Sequence, residues 1–174
     1  MLIVVEGVDG AGKTTLIDRI ARECKRPFWR LQGVNPHLPE APLESLIEWV
    51  LEKSPRIDLV CDRFSLISEA IYGMVLRNHN RLSDFLDGET CEKLIKKFVT
   101  RIIYCRPNDP TVLFKSSQTH PQLDGVDSNL TKLLELYDHI MASLEKDLGM
   151  DVRWYDFTDP PPHDLNKFIF GDLQ

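Results

Sequence analysis

The chain opens on a short apolar run, Leu2-Ile3-Val4-Val5, closed by Glu6-Gly7. A β-branched run bounded this way predicts a buried parallel strand. From Lys13 to Cys24 the apolar residues Leu16, Ile17, Ile20 and Ala21 recur at helical spacing. The alternation then repeats. Strands are predicted over 28–31, 57–61, 101–105 and 152–157. Helices are predicted over 43–52, 66–77, 89–99, about 108–115, 129–148 and 164–170. Residues 35–42 form a proline-rich loop, residues 116–127 a polar segment with Pro121 and Gly125, and residues 158–163 a proline-rich turn. Strands alternating with helices imply an α/β fold with a parallel sheet and right-handed crossovers. Such sheets bind ligands beyond the carboxyl ends of their strands. That edge carries Gly7 onward, Arg30 to Gly33, Asp62-Arg63, Arg106 and Thr158.

One stretch on that edge is specific. Gly7-Val8-Asp9-Gly10-Ala11-Gly12-Lys13-Thr14 fits the pattern Gly-x4-Gly-Lys-Ser/Thr without a gap. Chance places this pattern in roughly one in 200 chains of this length. A strand before it and a helix after it are the context the motif requires. The glycines Gly7, Gly10 and Gly12 let backbone N–H groups converge on phosphate oxygens, and the helix N-terminus adds positive partial charge. Ala11 and Thr15 complete the loop. Lys13 is suited to neutralise β/γ phosphates, and the Thr14 hydroxyl to ligate magnesium. The segment predicts a nucleoside triphosphate site with Mg2+ as cofactor. Leu59-Val60-Cys61-Asp62 ends an apolar strand in a carboxylate, the expected place of the second magnesium-side residue. Arg63 and Arg30 are candidate phosphate clamps.

These residues resemble the thymidylate kinase family of nucleoside monophosphate kinases. The resemblance rests on Val5-Glu6-Gly7-Val8-Asp9-Gly10-Ala11-Gly12-Lys13-Thr14-Thr15, on Asp62-Arg63-Phe64 with Ser68, Ala70 and Tyr72-Gly73, on Arg30, and on residues 156–160. It covers about a quarter of the chain, chiefly the first 20 residues and residues 57–77. It implies a P-loop NTPase fold, a five-stranded parallel sheet in order 2-3-1-4-5 with helices on both faces. Residues 1–174 would form one kinase domain, with an acceptor-binding segment at about 30–56 and a short lid at about 116–127. The implied reaction moves the ATP γ-phosphoryl to a (deoxy)nucleoside monophosphate, dTMP or another deoxynucleotide. Lys13, Asp9, Asp62 and Arg63 would be catalytic. Asp9 would lie near the acceptor sugar and the metal, and Thr14 and Asp62 would hold the metal. Arg63 and Arg30 would grip the acceptor phosphate, Phe64 or Tyr72 would touch sugar or base, and Thr158 would lie by the adenine.

The chain departs from the family in two ways. Relatives carry an arginine in the P-loop or the lid. Here the loop offers Gly10-Ala11, and residues 116–127 hold Gln118 and His120 but no arginine, with Lys115 just upstream. Lys115, Arg106 and Arg77 are the nearest substitutes. Only residues 31–61 separate Arg30 from Asp62, a short acceptor segment, with Trp49, Phe64 and Tyr72 as aromatics. A compact, lid-reduced enzyme of this type suits a viral genome. A (deoxy)nucleoside kinase stays open, with Glu6 or Asp62 as base and Arg63 following. So does a non-catalytic ATP-binding module.

Composition narrows the classes further. With 174 residues and 43% hydrophobic content the chain can bury one core without disulfides. A net charge of −6 argues against a general nucleic-acid surface. The four cysteines have no C-x-x-C spacing, which favours reduced structural thiols, and the five histidines have no metal spacing. No apolar run approaches 18 residues and no signal peptide is read, so the expectation is a cytoplasmic protein without a membrane partner. Relatives commonly pair, which makes a homodimer the expectation from resemblance.

Overall fold

The computed structural model describes residues 1–24, 27–32, 43–117, 124–159, 162 and 164–171. The proline-rich loop, Gly33, and residues 118–123 of the expected lid, including Gln118 and His120, lie outside the described residues.

The sheet contains β1 (Leu2–Glu6), β2 (Trp29–Gln32), β3 (Leu59–Asp62), β4 (Arg101–Cys105) and β5 (Val152–Tyr155), all parallel, in the order β2-β3-β1-β4-β5. This is the order the resemblance implied. β1 sits at the centre, with Leu2↔Leu59 on one side and Ile3↔Arg101 on the other. Every residue of β1, β3 and β4 is buried, which is why these strands read as unbroken apolar runs.

The helices are α1 (Lys13–Glu23), α2 (Leu43–Lys53), α3 (Ser65–Tyr72), α4 (Gly88–Phe98), α5 (Thr111–Ser117), α6 (Val126–Lys146) and α7 (Leu165–Phe170). α1 packs with α7, while α2, α3, α5 and α6 form a connected layer. The two groups cover opposite faces of the sheet, as right-handed crossovers from a central β1 require. The helix predicted over 66–77 changes character midway. After Tyr72 it widens into a π-turn, Gly73–Arg77, followed by left-handed Asn78. Gly73 is needed there, because a Cβ would stand 2.6 Å from the His79 carbonyl. A 3-10 turn over Arg81–Asp84, capped by the Asn80 side chain, was not legible from periodicity. No helix among the described residues is long and apolar enough to cross a membrane.

Candidate active site

The loop from Gly7 to Gly12 links the central strand to α1. Gly7 has φ +139°, and a Cβ on it would lie 2.4 Å from the Cys105 carbonyl oxygen of β4. Only glycine lets β1 end so close to its neighbour. Gly12, at φ +80°, caps α1 in the left-handed region and lies under the Phe157 ring. The segment after β5 is thereby brought against the loop. Thr158 turns back there, its N–H and hydroxyl donating to Asp156 Oδ1 at 2.7 and 2.6 Å. The other Asp156 oxygen accepts from the Asn108 N–H at 2.5 Å.

Lys13 is buried. Its Nζ donates to the carbonyls of Gly7 at 2.8 Å and Val8 at 2.7 Å. Burial, and then the neighbouring Arg63 charge, lower its pKa to about 8, against the opposing pull of Asp9 and Asp62. An ammonium has three donors, so two are used within the loop and one is left.

Two charged clusters flank this loop, and strand alternation explains their separation. On the α1 face, Thr14 Oγ1 donates to Asp62 Oδ2 at 3.0 Å. Arg30 reaches the same oxygen at 3.5 Å and Asp18 of α1 at 2.6 Å. Arg30 pairs in register with Val60, two residues before Asp62, so both side chains share this face. A hydroxyl beside a carboxylate is a hard-oxygen pair that fits magnesium, which usually takes one or two carboxylates plus substrate phosphates. Among the described residues no group of three or more acidic, His or Cys side chains could hold a metal by itself.

The second cluster gathers Arg63, Asp9 and Tyr72. Arg63 donates to Asp9 Oδ1 and, at 2.9 Å, to the Tyr72 hydroxyl, with its guanidinium 4.7 Å from the Tyr72 ring centroid. Asp9 Oδ2 and Arg63 Nε are buried and have no partner among the described residues. Arg63 also has φ +71°, rare for a residue with a side chain. Nothing in the sequence marks this, since no glycine or asparagine stands there. Arg30 and Arg63 thus sit in separate clusters rather than as one clamp. Phe64, expected near sugar or base, is 2% exposed and belongs to the core, and Tyr72 is buried with its hydroxyl on Arg63.

Behind both clusters lies Glu6, fully buried at the end of β1. It accepts from the Phe64 N–H at 2.7 Å and the Tyr137 hydroxyl of α6 at 3.0 Å. Burial raises its pKa to about 7, a rise moderated by the Phe64 N–H, Arg63, Tyr137 and Lys13. Two of the candidate substitutes for a lid arginine are engaged elsewhere. Arg106 holds Asp138 at 3.0 and 3.1 Å, and Arg77 holds Glu69, which Arg81 also grips at 2.9 Å. The side chain of Lys115 is outside the described residues. Glu69, Asp18, Asp138 and Tyr137 went unread in the sequence. The only signal for any of them was Glu6, a charge ending an apolar run and so in need of a buried donor.

A glycine-rich loop with a buried lysine on the central strand of a parallel sheet, with a hydroxyl–carboxylate pair on one side and an arginine–carboxylate pair on the other, is a P-loop α/β fold. Solved structures share this fold. The YorR protein of Bacillus subtilis, in complex with phosphorylated GDP, matches with a TM-score of 0.69 at 22% identity, over 98% of this chain and 94% of that one. A deoxyadenosine kinase from M. mycoides with bound dCTP matches with a TM-score of 0.63 at 16% identity, over 99% and 98%. A thymidylate kinase from Ehrlichia chaffeensis matches with a TM-score of 0.45 at 12% identity, over 100% and 98%. No family model matches the chain, and no curated protein matches it. At these identities the likeness to the first two shows the fold.

Proposed function

We propose that this chain transfers the γ-phosphoryl of ATP to a (deoxy)nucleoside monophosphate, dTMP or another deoxynucleotide, giving the diphosphate. The observation that carries the reading is the second cluster. A phosphate loop alone serves many ATP users, but Asp9 and Arg63 build a further polar site against it. A sugar hydroxyl could donate to the Asp9 carboxylate and accept from the Arg63 guanidinium, side chains that keep 22% and 14% of their surface exposed. Lys13 and the loop N–H groups would bind the donor phosphates. Thr14 and Asp62 would hold magnesium, which supplies charge neutralisation when bound. Catalysis would then consist of positioning and electrostatic stabilisation, as phosphoryl transfer requires. Thr158 would lie by the donor base, because the Phe157 contact sets its segment on Gly12. A cytoplasmic site of action and a homodimer belong to the same proposal.

A second reading is a (deoxy)nucleoside kinase, in which Asp62 takes the proton of the sugar hydroxyl; Glu6, fully buried with both oxygens engaged, is out of reach. One observation favours it: Arg30 is committed to Asp18 and Asp62, so Arg63 is left as the cation of the acceptor cluster. The experiment that decides is an acceptor screen. The protein is incubated with ATP, magnesium and each common nucleoside, deoxynucleoside and monophosphate, and ADP release is followed. Turnover with monophosphates supports the first reading, and turnover with nucleosides alone the second. ATP binding without turnover on any acceptor overturns both and leaves a nucleotide-binding module.

A further inference from the structure

Glu6 is the one charged residue of β1, and it is joined to two elements far from it in sequence. One is the turn after β3. The N–H of Arg63 donates to the Val5 carbonyl at 2.9 Å, and the N–H of Phe64 donates to Glu6 Oε1 at 2.7 Å. Consecutive residues of β1 thus hold consecutive N–H groups of the turn, and the residue between those anchors has the left-handed φ of +71°. The other element is α6. Tyr137 donates to Glu6 Oε2 at 3.0 Å and meets the Tyr72 ring edge-on at 6.1 Å between centroids. Tyr72 is the ring on which the Arg63 guanidinium rests. Tyr137 therefore touches both the residue that fixes the Arg63 backbone and the residue that seats its side chain. It is itself stacked on Tyr104 of β4 at 5.8 Å, which leaves it little freedom.

We propose that Glu6 is a positioning residue for Arg63. Its carboxylate fixes the left-handed turn through Phe64 and ties that turn to α6 through Tyr137, so that the guanidinium meets the acceptor in one pose. The idea rests on the reading of Arg63 as the acceptor-side arginine. Glu6 touches neither substrate in this arrangement. Its buried carboxylate is retained because two backbone-defining donors converge on it, where an apolar side chain would leave both unpaired.

Three substitutions separate positioning from general support. E6L removes both hydrogen bonds. E6Q keeps them, because the amide oxygen can accept from Phe64 and the amide nitrogen can donate to the Tyr137 oxygen. Y137F removes one. E6L is expected to raise the acceptor KM by about tenfold while leaving the ATP KM within about twofold, the loss of a well-placed charged hydrogen bond. E6Q is expected to restore most of that acceptor affinity, and E6L should add nothing to R63A. A second readout needs no turnover. In NMR spectra the Arg63 side-chain protons should carry an upfield ring-current shift from Tyr72, retained in E6Q and lost in E6L. Equal rises in both KM values, full additivity with R63A, or an unmoved Arg63 resonance in E6L would each overturn the proposal. If E6L does not fold, Y137F decides, with a smaller rise showing the same acceptor bias or none. If the wild type turns over no acceptor, the kinase reading falls, and the NMR comparison of Y137F and E6L with E6Q still decides the positioning role.

Discussion

Binding of a polyphosphate should be accompanied by proton uptake at Lys13. Burial holds this ammonium at a pKa of about 8, so the free protein carries it half deprotonated at pH 8. Nζ already donates to the Gly7 and Val8 carbonyls, and the loop leaves one donor for a ligand. A phosphate oxygen at that donor adds negative charge where desolvation had been the dominant cost. The pKa should return to at least its ordinary value of 10.5. Net uptake should then be about 0.1 proton at pH 7 and about 0.5 at pH 8. A return of this size makes the restored charge worth about 3 kcal/mol of anion affinity, or roughly three-hundredfold. Titration calorimetry with MgATP in buffers of different ionisation enthalpy measures the uptake directly. K13R supplies the control, because a guanidinium stays charged at these pH values. Uptake that is absent at pH 8, that does not rise between pH 7 and 8, or that persists undiminished in K13R would refute the assignment of Lys13 as the proton acceptor.

Gly7→Ala should be strongly destabilising, because its Cβ would stand 2.4 Å from the Cys105 carbonyl at φ +139°. Strain and overpacking together cost about 4 kcal/mol, a fall of about 8–16 °C in Tm for a chain of this size; a fall of under about 3 °C in a calorimetric scan would count against the close approach. Glu6 should make stability depend on pH. Its folded pKa of about 7 lies above the ordinary 4.5, so its contribution is fully present below pH 4.5 and lost as pH rises through 7. The span is about 3 kcal/mol; urea midpoints at pH 5 and 7.5 should differ less in E6Q than in the wild type, and equal slopes would contradict the raised pKa. Arg101→Met should loosen the end of α7. Arg101 is buried and donates to the Ile169 and Gly171 carbonyls at 2.6 and 3.0 Å. Losing those donors costs about 2–4 kcal/mol, and hydrogen exchange at residues 168–171 should accelerate before that of β1.

The sequence made the centre of this molecule legible because burial there leaves few choices. A strand covered on both faces must be apolar throughout, so β1, β3 and β4 stood out, and β4 was read at its observed limits, Arg101–Cys105. The turn from Gly7 to Lys13 was legible because its glycines are required by backbone geometry. What stayed hidden depends on contacts between distant segments. The left-handed Arg63 is imposed by Val5 and Glu6, and no local preference for it exists in Asp62-Arg63-Phe64. The π-turn at Gly73–Arg77 follows a helical pattern that continues without a break, and only the close approach of His79 shows why the helix widens. Arg30 was read as a partner of Arg63 because both lie at strand ends. Register and alternation put it with Asp18 and Asp62 instead. Arg101 read as one more strand residue, and its role as an anchor for the C-terminal turn needed residues 169–171 in place.

Position 63 carries two demands that no single replacement meets. Its backbone asks for glycine, while its side chain supplies a planar, permanently charged fork above Tyr72 and beside Asp9. Glycine would relax the turn and lose the charge. Lysine would keep a charge but not the fork, and asparagine would suit the φ angle alone. In a saturation screen this site should tolerate fewer residues than Lys13. Divergence of the chain would then run through its neighbours, with Glu6, Tyr72 and Tyr137 changing as a set around a fixed arginine.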